Sequence, residues 1–328
     1  MVMSDIRRLG RGFRLFIRSL QARPVSNIPH QVQATLAGRT MEVYEPPRTP
    51  WKTVVPVYGM GLRGERDPRL FKFVQACLEA GTRVVVPNLP GIKQYEFRGG
   101  DLESMLDAIE TVHSRFPGPV SVVAFSAGGS ISLSAAAHPR TADKIHSLLA
   151  FGPLYDIREV WHILHNQEIN DSDHKKLDAS LWTQYVIAYR NRDQLGFSDA
   201  EKATIHDTLW NYDFGASDQA KREFFECVIA PCDLPHRSDL LREDDVFDLL
   251  SPRGKLEKVR ARVAVLHDST DMIVPPAHGQ RIMEELLRRP NHQQRQLSTP
   301  LLTHVTVEAG ANLRDVYDMI DMLGEVFI

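Results

Sequence analysis

The sequence has few cysteines, little imbalance of charge and no long apolar run, and each of these absences excludes a class of protein. Its cysteines, Cys77, Cys227 and Cys232, are too few and too irregularly spaced for a disulfide framework or a zinc motif. The 39 Lys and Arg residues nearly balance 42 Asp and Glu residues, so the net charge of -3 argues against nucleic acid as a partner. Reduced thiols and a start without a signal-peptide core favour a cytoplasmic protein.

Internal repeats and low-complexity segments are also missing, which argues against solenoid and disordered classes. The chain has 328 residues, of which 43% are hydrophobic and 25% charged, as in soluble globular proteins. This length exceeds the roughly 100 to 200 residues of a typical domain and suits one large α/β domain with an insertion.

The first 22 residues have the pattern of an amphipathic helix. Apolar residues recur at steps of three and four, and basic residues lie between them. Such a helix can contact an anionic membrane surface, but packing on its own domain or on a second subunit is the favoured interpretation. The oligomeric state is left open. The apolar stripe consists of Ile6, Leu9, Phe13, Phe16, Ile17 and Leu20, and the basic residues are Arg7, Arg8, Arg11, Arg14 and Arg18.

From residue 51 onward, short β-branched runs alternate with helical patterns, which is typical of βα units around a mostly parallel sheet. The runs at 52–59, 82–91, 119–125, 144–153 and 261–269 predict buried strands, and an apolar pair at 301–302 follows later. The alternation stops between residues 154 and 255, where the chain is charged and aromatic. We therefore expect an N-terminal region (1–50), a core (51–153 and 256–328) and a helical cap insertion (154–255).

One short segment of the predicted core has a definite chemical use. Residues 122–129 read VVAFSAGG, so Ser126 lies between small residues where a buried strand turns into a helix. Small neighbours are needed because such a turn is tight. The serine hydroxyl then projects from the carboxyl end of the strand, and the backbone amide of Ala127 points into the same space at a helix N-terminus. A structural turn or a phosphate site is the alternative for this segment taken alone.

The segment resembles the Gly-x-Ser-x-Gly elbow of the α/β-hydrolase family, with Ala124 in place of the first glycine. That resemblance implies an α/β-hydrolase fold and a nucleophile, an acid and a histidine in that chain order. The loop DSTDMIVPP is similar to the acid-bearing loop of the family and makes Asp271 the acid. Asp268, at the end of the preceding strand, is the runner-up. The run LLTHVTV then supplies His304 as the general base.

The oxyanion hole of the family has a second donor in the turn after the first central strand. Here VYGMGLRG resembles the His-Gly-x-Gly turn of the family, with Tyr58 in place of histidine, so the Met60 amide is expected to join that of Ala127. The segment PNLPG resembles a loop that borders these sites, with Asn88 in place of Asp. The resemblance covers about residues 52–153 and 260–328.

The sequence therefore predicts a serine hydrolase that cleaves a carboxylic ester or related acyl bond through an acyl-serine intermediate, without a cofactor or metal. Its partner would be a small ester or acyl compound with an apolar part, because the insertion is rich in aromatic residues. Acyl transfer, thioester cleavage and carbon-carbon bond hydrolysis use the same residues and stay open. So does a non-catalytic binding protein with the hydrolase fold. The sequence does not identify the substrate.

Overall fold

A computed structural model describes residues 28–166, 174–212, 219–232, 244–289, 294–300, 302–304, 306–307 and 313–326. The amphipathic helix predicted for residues 1–22 lies outside these ranges. Within them, no helix combines the length and the apolar character needed to cross a membrane.

Eight strands form one sheet in the order β1-β2-β4-β3-β5-β6-β7-β8. Strands β3 to β8 run parallel, and β1 and β2 join one edge in antiparallel pairing. This confirms the predicted mostly parallel sheet. The strands are β1 (Gln31–Ala34), β2 (Thr40–Tyr44), β3 (Thr53–Val57), β4 (Arg83–Pro87), β5 (Val120–Phe125), β6 (Ile145–Phe151), β7 (Arg262–Asp268) and β8 (Gln294–Thr299).

The central strands are continuous apolar runs because helices cover both of their faces. All five residues of β3 are buried, and so are the first five of β5. The short apolar runs that predicted strands therefore correspond to the centre of the sheet, where a side chain on either face is removed from water.

The edge strand β8 was missed from the sequence, which placed the next apolar run at residues 301–302. Residues Gln294–Thr299 are mostly half-exposed or exposed, and they pair with β7 up to Asp268 and Thr299. An edge strand has one neighbour and fewer buried positions, so its sequence carries little apolar signal. Leu302 instead begins a small antiparallel hairpin of β9 (Leu302–Thr303) and β10 (Thr306–Val307).

Ten α-helices occur in the described part of the chain. The first begins at Pro68, because the Asp67 side chain accepts a hydrogen bond from the Arg69 amide at 2.8 Å and proline suits the first helical position. The helices are α1 (Pro68–Glu79), α2 (Gly99–Arg115), α3 (Ala127–Ala137), α4 (Ile157–Asn166), α5 (His174–Arg190), α6 (Asp199–Trp210), α7 (Gln219–Phe224), α8 (Asp244–Leu250), α9 (Ala277–Leu286) and α10 (Leu313–Val326).

Helices α4 to α8 lie between β6 and β7 along the chain, in the segment 154–255 that we call the insertion. Its aromatic side chains pack on the loops that follow β3 and β4. Tyr95 contacts the rings of Trp182 and Tyr189 with centroids 5.8 and 6.0 Å apart. Arg63 donates to Asn211 at 2.7 Å. The insertion therefore adjoins the carboxyl edge of the parallel strands.

Both ends of the insertion are bound to one buried carboxylate on α9. Glu285 is 4% exposed and accepts hydrogen bonds from the Tyr155 hydroxyl, the Gly254 amide and the Leu256 amide at 2.9, 3.0 and 2.8 Å. Tyr155 belongs to the entry of the insertion and Gly254 to its exit. The Glu285 side chain thus attaches both ends of the insertion to the core.

A second buried group on the same helix supports the entry of the insertion. His278 Nδ1 accepts a hydrogen bond from the Tyr155 amide at 3.1 Å, which requires the ring to be neutral at that nitrogen. Burial and the nearby Arg281 guanidinium lower the pKa of His278 to about 4, although Glu159 and Asp156 oppose that shift. The histidine therefore acts as a hydrogen-bond acceptor at neutral pH.

Replacing Glu285 by Ala should lower the free energy of unfolding by about 3 kcal/mol, because buried donors lose their acceptor and each costs roughly 1 to 3 kcal/mol. Urea denaturation measures this change. Glu284→Ala, an exposed neighbour on the same helix, is the control and should stay near wild type. Equal midpoints for the two variants would show that Glu285 does not hold the insertion.

The pKa of His278 also predicts how stability depends on pH. The unfolded chain binds a proton at this residue near pH 6.5, whereas the folded chain binds it only near pH 4, so stability is full above pH 6.5 and falls as the pH drops toward 4. His278→Gln should reduce this dependence in urea titrations across that window. His113→Gln, at an exposed histidine, should leave it unchanged.

Candidate active site

The candidate nucleophile lies on a strained turn between β5 and α3. Ser126 has φ 51° and ψ -125°, a backbone conformation that costs a non-glycine residue about 1 to 3 kcal/mol. Its amide donates to the Phe151 carbonyl at 2.7 Å, and its carbonyl accepts from the Gly129 amide at 2.8 Å. These bonds hold the elbow that the sequence predicts. They leave the partly exposed hydroxyl at the carboxyl edge of the sheet.

The elbow packs closely against the turn after β3 at two glycines, Gly128 and Gly59. A Cβ at Gly128 would lie 2.2 Å from the Tyr58 carbonyl oxygen, and a Cβ at Gly59 would lie 3.1 Å from Cβ of Ser126. The turn after β3 therefore packs directly against the elbow. Ala127, the first residue of α3, has an amide with no partner in the helix by the geometry of helix N-termini. The predicted donors, at Met60 and Ala127, thus belong to two turns in contact.

The candidate base and acid form a short hydrogen bond. His304 Nδ1 lies 2.6 Å from Oδ2 of Asp271, whose other oxygen accepts the amides of Ile273 and Val274 at 2.9 Å each. Burial would raise the pKa of Asp271, but His304 and the backbone donors hold it below its usual value. The carboxylate is therefore ionised and accepts, so His304 Nδ1 is the donor. The other ring nitrogen, Nε2, remains for a proton from elsewhere.

The runner-up acid, Asp268, contacts the same histidine at a different atom. Its Oδ2 accepts the backbone amide of His304 at 3.1 Å, and its Oδ1 accepts the amide and hydroxyl of Thr270 at 2.8 and 2.9 Å. Asp271 bonds the ring and Asp268 bonds the backbone. This geometry separates two carboxylates that the sequence could rank only by their position in a motif.

Ser126 and His304 are neighbours of the same short turn after β6. The Ser126 amide is bonded to Phe151, and a Cβ at the next residue, Gly152, would lie 3.3 Å from His304 Nδ1 and Cε1 and 3.6 Å from Oδ2 of Asp271. The structure thus brings the three candidate side chains to one edge of the sheet. No hydrogen bond joins the Ser126 hydroxyl to the His304 ring within the described ranges. Such bonds are often long before substrate binds.

A network behind the site fixes the turn after β3. The Tyr58 hydroxyl, buried beneath the turn, accepts the Leu89 amide at 2.7 Å and thereby joins the turns after β3 and β4. Burial raises its pKa, so the hydroxyl stays neutral. The Gly61 amide donates to the Ile92 carbonyl at 3.1 Å, and Asp101 accepts the Ile92 amide at 3.2 Å. Tyr58 therefore fixes the position of this loop through the hydrogen bond of its hydroxyl to the Leu89 amide.

Three supporting residues were missed from the sequence. Gly152 makes room for the His304 ring, and its only signal is a glycine directly after a buried strand. Asp101 lies in the first turn of α2 and resembles any acidic residue near a helix start. His267 donates from Nε2 to the Val274 carbonyl at 2.8 Å and so ties the loop of Asp271 to β7. A buried histidine inside an apolar strand was the available signal.

Among the described side chains, no cluster of three or more His, Cys, Asp or Glu residues is arranged to hold a metal ion. The groups at the site are instead a hydroxyl, an imidazole with a paired carboxylate, and backbone amides at two turns. Together these groups are suited to nucleophilic attack on a carbonyl carbon.

Comparison with known proteins identifies the fold. No protein-family model and no curated protein matches the sequence. Among solved structures, a lipase in an open form aligns over 91% of this chain and 98% of its own, with a TM-score of 0.50 and 17% identity. A meta-cleavage product hydrolase from Pseudomonas fluorescens aligns over 90% and 97%, with a TM-score of 0.50 and 14% identity.

A puromycin hydrolase structure gives a TM-score of 0.51 at 15% identity and covers 93% of this chain but 41% of that one, so this chain spans less than half of it. These proteins are similar to this chain in fold, and their low identity carries no substrate across. The chain has the α/β-hydrolase fold.

Replacing Gly128 by Ala should lower the free energy of unfolding by about 3 kcal/mol or more, because the new Cβ meets backbone atoms that cannot rotate away. Gly100→Ala, at a helical position with nothing within 4 Å, is the matched control and should be as stable as wild type or more so. Urea denaturation of both variants measures the difference. A Gly128→Ala protein as stable as wild type would contradict the close contact described here.

Proposed function

We propose that this protein is a serine hydrolase that cleaves a carboxylic ester or related acyl bond through an acyl-serine intermediate. The observation that carries the proposal is the 2.6 Å hydrogen bond between His304 and Asp271 beside the strained elbow of Ser126. A serine hydroxyl is a weak nucleophile at neutral pH and needs such an oriented base. A structural turn needs neither the strain nor the paired histidine.

In the proposed reaction, the Ser126 oxygen attacks the carbonyl carbon while His304 Nε2 takes the hydroxyl proton. Asp271 holds the opposite side of the ring and stabilises the imidazolium that forms. The amides of Met60 and Ala127 donate to the oxyanion of the tetrahedral intermediate. The intermediate collapses, and His304 returns the proton to the departing alcohol. Water, activated by the same histidine, then releases the acid and regenerates the serine.

The insertion is proposed as a cap that shapes a pocket for an apolar part of the substrate. Its support is the packing of Trp161 and Phe247 on Phe97, with ring centroids 5.9 and 5.7 Å apart, and of Trp182 and Tyr189 on Tyr95. Tyr95 and Phe97 belong to the loop after β4, which lies next to the strands that carry the site. Five of these six rings are buried in their own packing, so the pocket would use aromatic side chains that remain partly accessible, such as Tyr189.

Replacing Ser126 by Ala should abolish labelling by a fluorophosphonate probe and lower kcat for an ester on the order of 10⁴-fold or more. His304→Ala should act similarly, because the hydroxyl loses its base. Ser132→Ala changes a buried serine on α3, six residues after Ser126, that has no hydrogen-bond partner in the described structure; it is the control and should label like wild type. Gel-based labelling and ester turnover measure both effects.

A wild-type protein that neither labels nor turns over esters of graded acyl length would refute the proposal and leave a non-catalytic binding protein. Product analysis with added alcohol or amine acceptors distinguishes hydrolysis from acyl transfer. Formation of the free acid alone supports hydrolysis.

A further inference from the structure

We propose that Asp268 is a positioning residue that holds the His304 turn through its backbone amide, so that the ring meets Asp271. The inference rests on the proposed function, because it assigns a role within the same site. It gives the second carboxylate of the loop a task that is separate from acting as the acid of the triad.

The first step is the conformation of His304. It has φ 56°, in the left-handed region that non-glycine residues rarely adopt. It directly follows Thr303, which pairs with Thr306 across a two-residue hairpin turn. A left-handed non-glycine residue persists only where surrounding contacts hold it there. The ring alone does not do so, because rotation about the side-chain bonds lets a ring bond survive several backbone conformations.

The second step is the contact that supplies this constraint. Oδ2 of Asp268 accepts the His304 amide at 3.1 Å, and Asp268 is 1% exposed. In a two-residue hairpin the amide of the first turn residue has no partner in the ladder, so it needs an acceptor elsewhere when buried. Asp268 provides that acceptor from the last position of β7.

The third step is the rigidity of the acceptor. Thr270 donates its amide and its hydroxyl to Oδ1 of Asp268, which leaves Oδ2 directed at the turn. The Ser269 amide donates to the Thr299 carbonyl at 3.1 Å, and the Asp271 amide donates to the Asp268 carbonyl at 3.3 Å. A backbone hydrogen bond therefore joins the two aspartates within one loop. One holds the backbone of His304 and the other holds its ring.

The test uses the full-length protein and two readouts, of which one does not depend on activity. The far-downfield region of the proton NMR spectrum contains the resonance of the Nδ1 proton shared by His304 and Asp271. The His304→Ala variant assigns this resonance, because it lacks the proton. Asp268→Ala should remove or broaden this resonance and lower kcat about 100-fold with little change in KM, because a misplaced base costs rate and not binding. Asp268→Asn keeps one acceptor oxygen and places an NH2 donor against either Thr270 or the His304 amide, so it should show the same two changes, at most to a smaller degree.

Asp107→Ala is the control for general loss of stability. Asp107 is a buried carboxylate on α2, bonded to Arg39 at 2.8 Å and to Arg140 at 2.6 Å, and it lies outside the site. Its replacement should lower the melting temperature but leave the resonance and kcat unchanged. If Asp268→Ala does not fold, Thr270→Val, which removes one donor that orients the carboxylate, should show the same two changes to a smaller degree.

An Asp268→Ala protein with the wild-type resonance and kcat would overturn the proposal. Failure of the proposed function would look different. The wild type would then lack labelling and turnover, while the resonance would still show whether Asp268 holds the His304 pair.

Discussion

No side chain fits at Gly128, because the turn after β5 packs against the Tyr58 carbonyl, and the arrangement of the site depends on this close approach. The contact between Gly128 and the Tyr58 carbonyl places the turn after β3 beside Ser126 and fixes the direction of α3. The next turn along the edge, at Gly152, leaves room for the His304 ring in the same way. Glycines at the carboxyl edge of the sheet thus let three turns converge on one small volume.

Within that volume, the two carboxylates of the loop after β7 bind different groups of His304. Both oxygens of Asp271 accept hydrogen bonds, from the loop on one side and from the His304 ring on the other. The adjacent Asp268 satisfies the amide of the same histidine. Because an unpaired carboxylate would be costly at such depth, the contacts of Asp271 stabilise its ionised form beside the candidate base.

The insertion is attached at a distance from this chemistry. Glu285 and His278, both on α9, bind its entry and exit, whereas its aromatic side chains lie on the loops after β3 and β4. The sequence predicted the change from alternating strands to aromatic helices here. The sequence could not predict how the insertion is attached, because nothing in the pattern of an amphipathic helix indicates which groups Glu285 and His278 will bind. The edge strand β8 was missed for a related reason, since its residues are too exposed to form an apolar run.

The sequence by itself predicted the parallel core and the tight turn at Ser126, because buried strands and tight turns restrict residue types locally. Its resemblance to the hydrolase family then named Asp271 and His304 as the candidate acid and base. The apolar runs of the strands and the small residues of the tight turn are both visible in consecutive positions of the sequence. Only the tertiary structure decided which aspartate meets the His304 ring, since Asp268 and Asp271 differ by three positions and share one loop. The folded chain separates them by direction: one carboxylate faces the backbone amide and the other faces the imidazole, 2.6 Å from Nδ1.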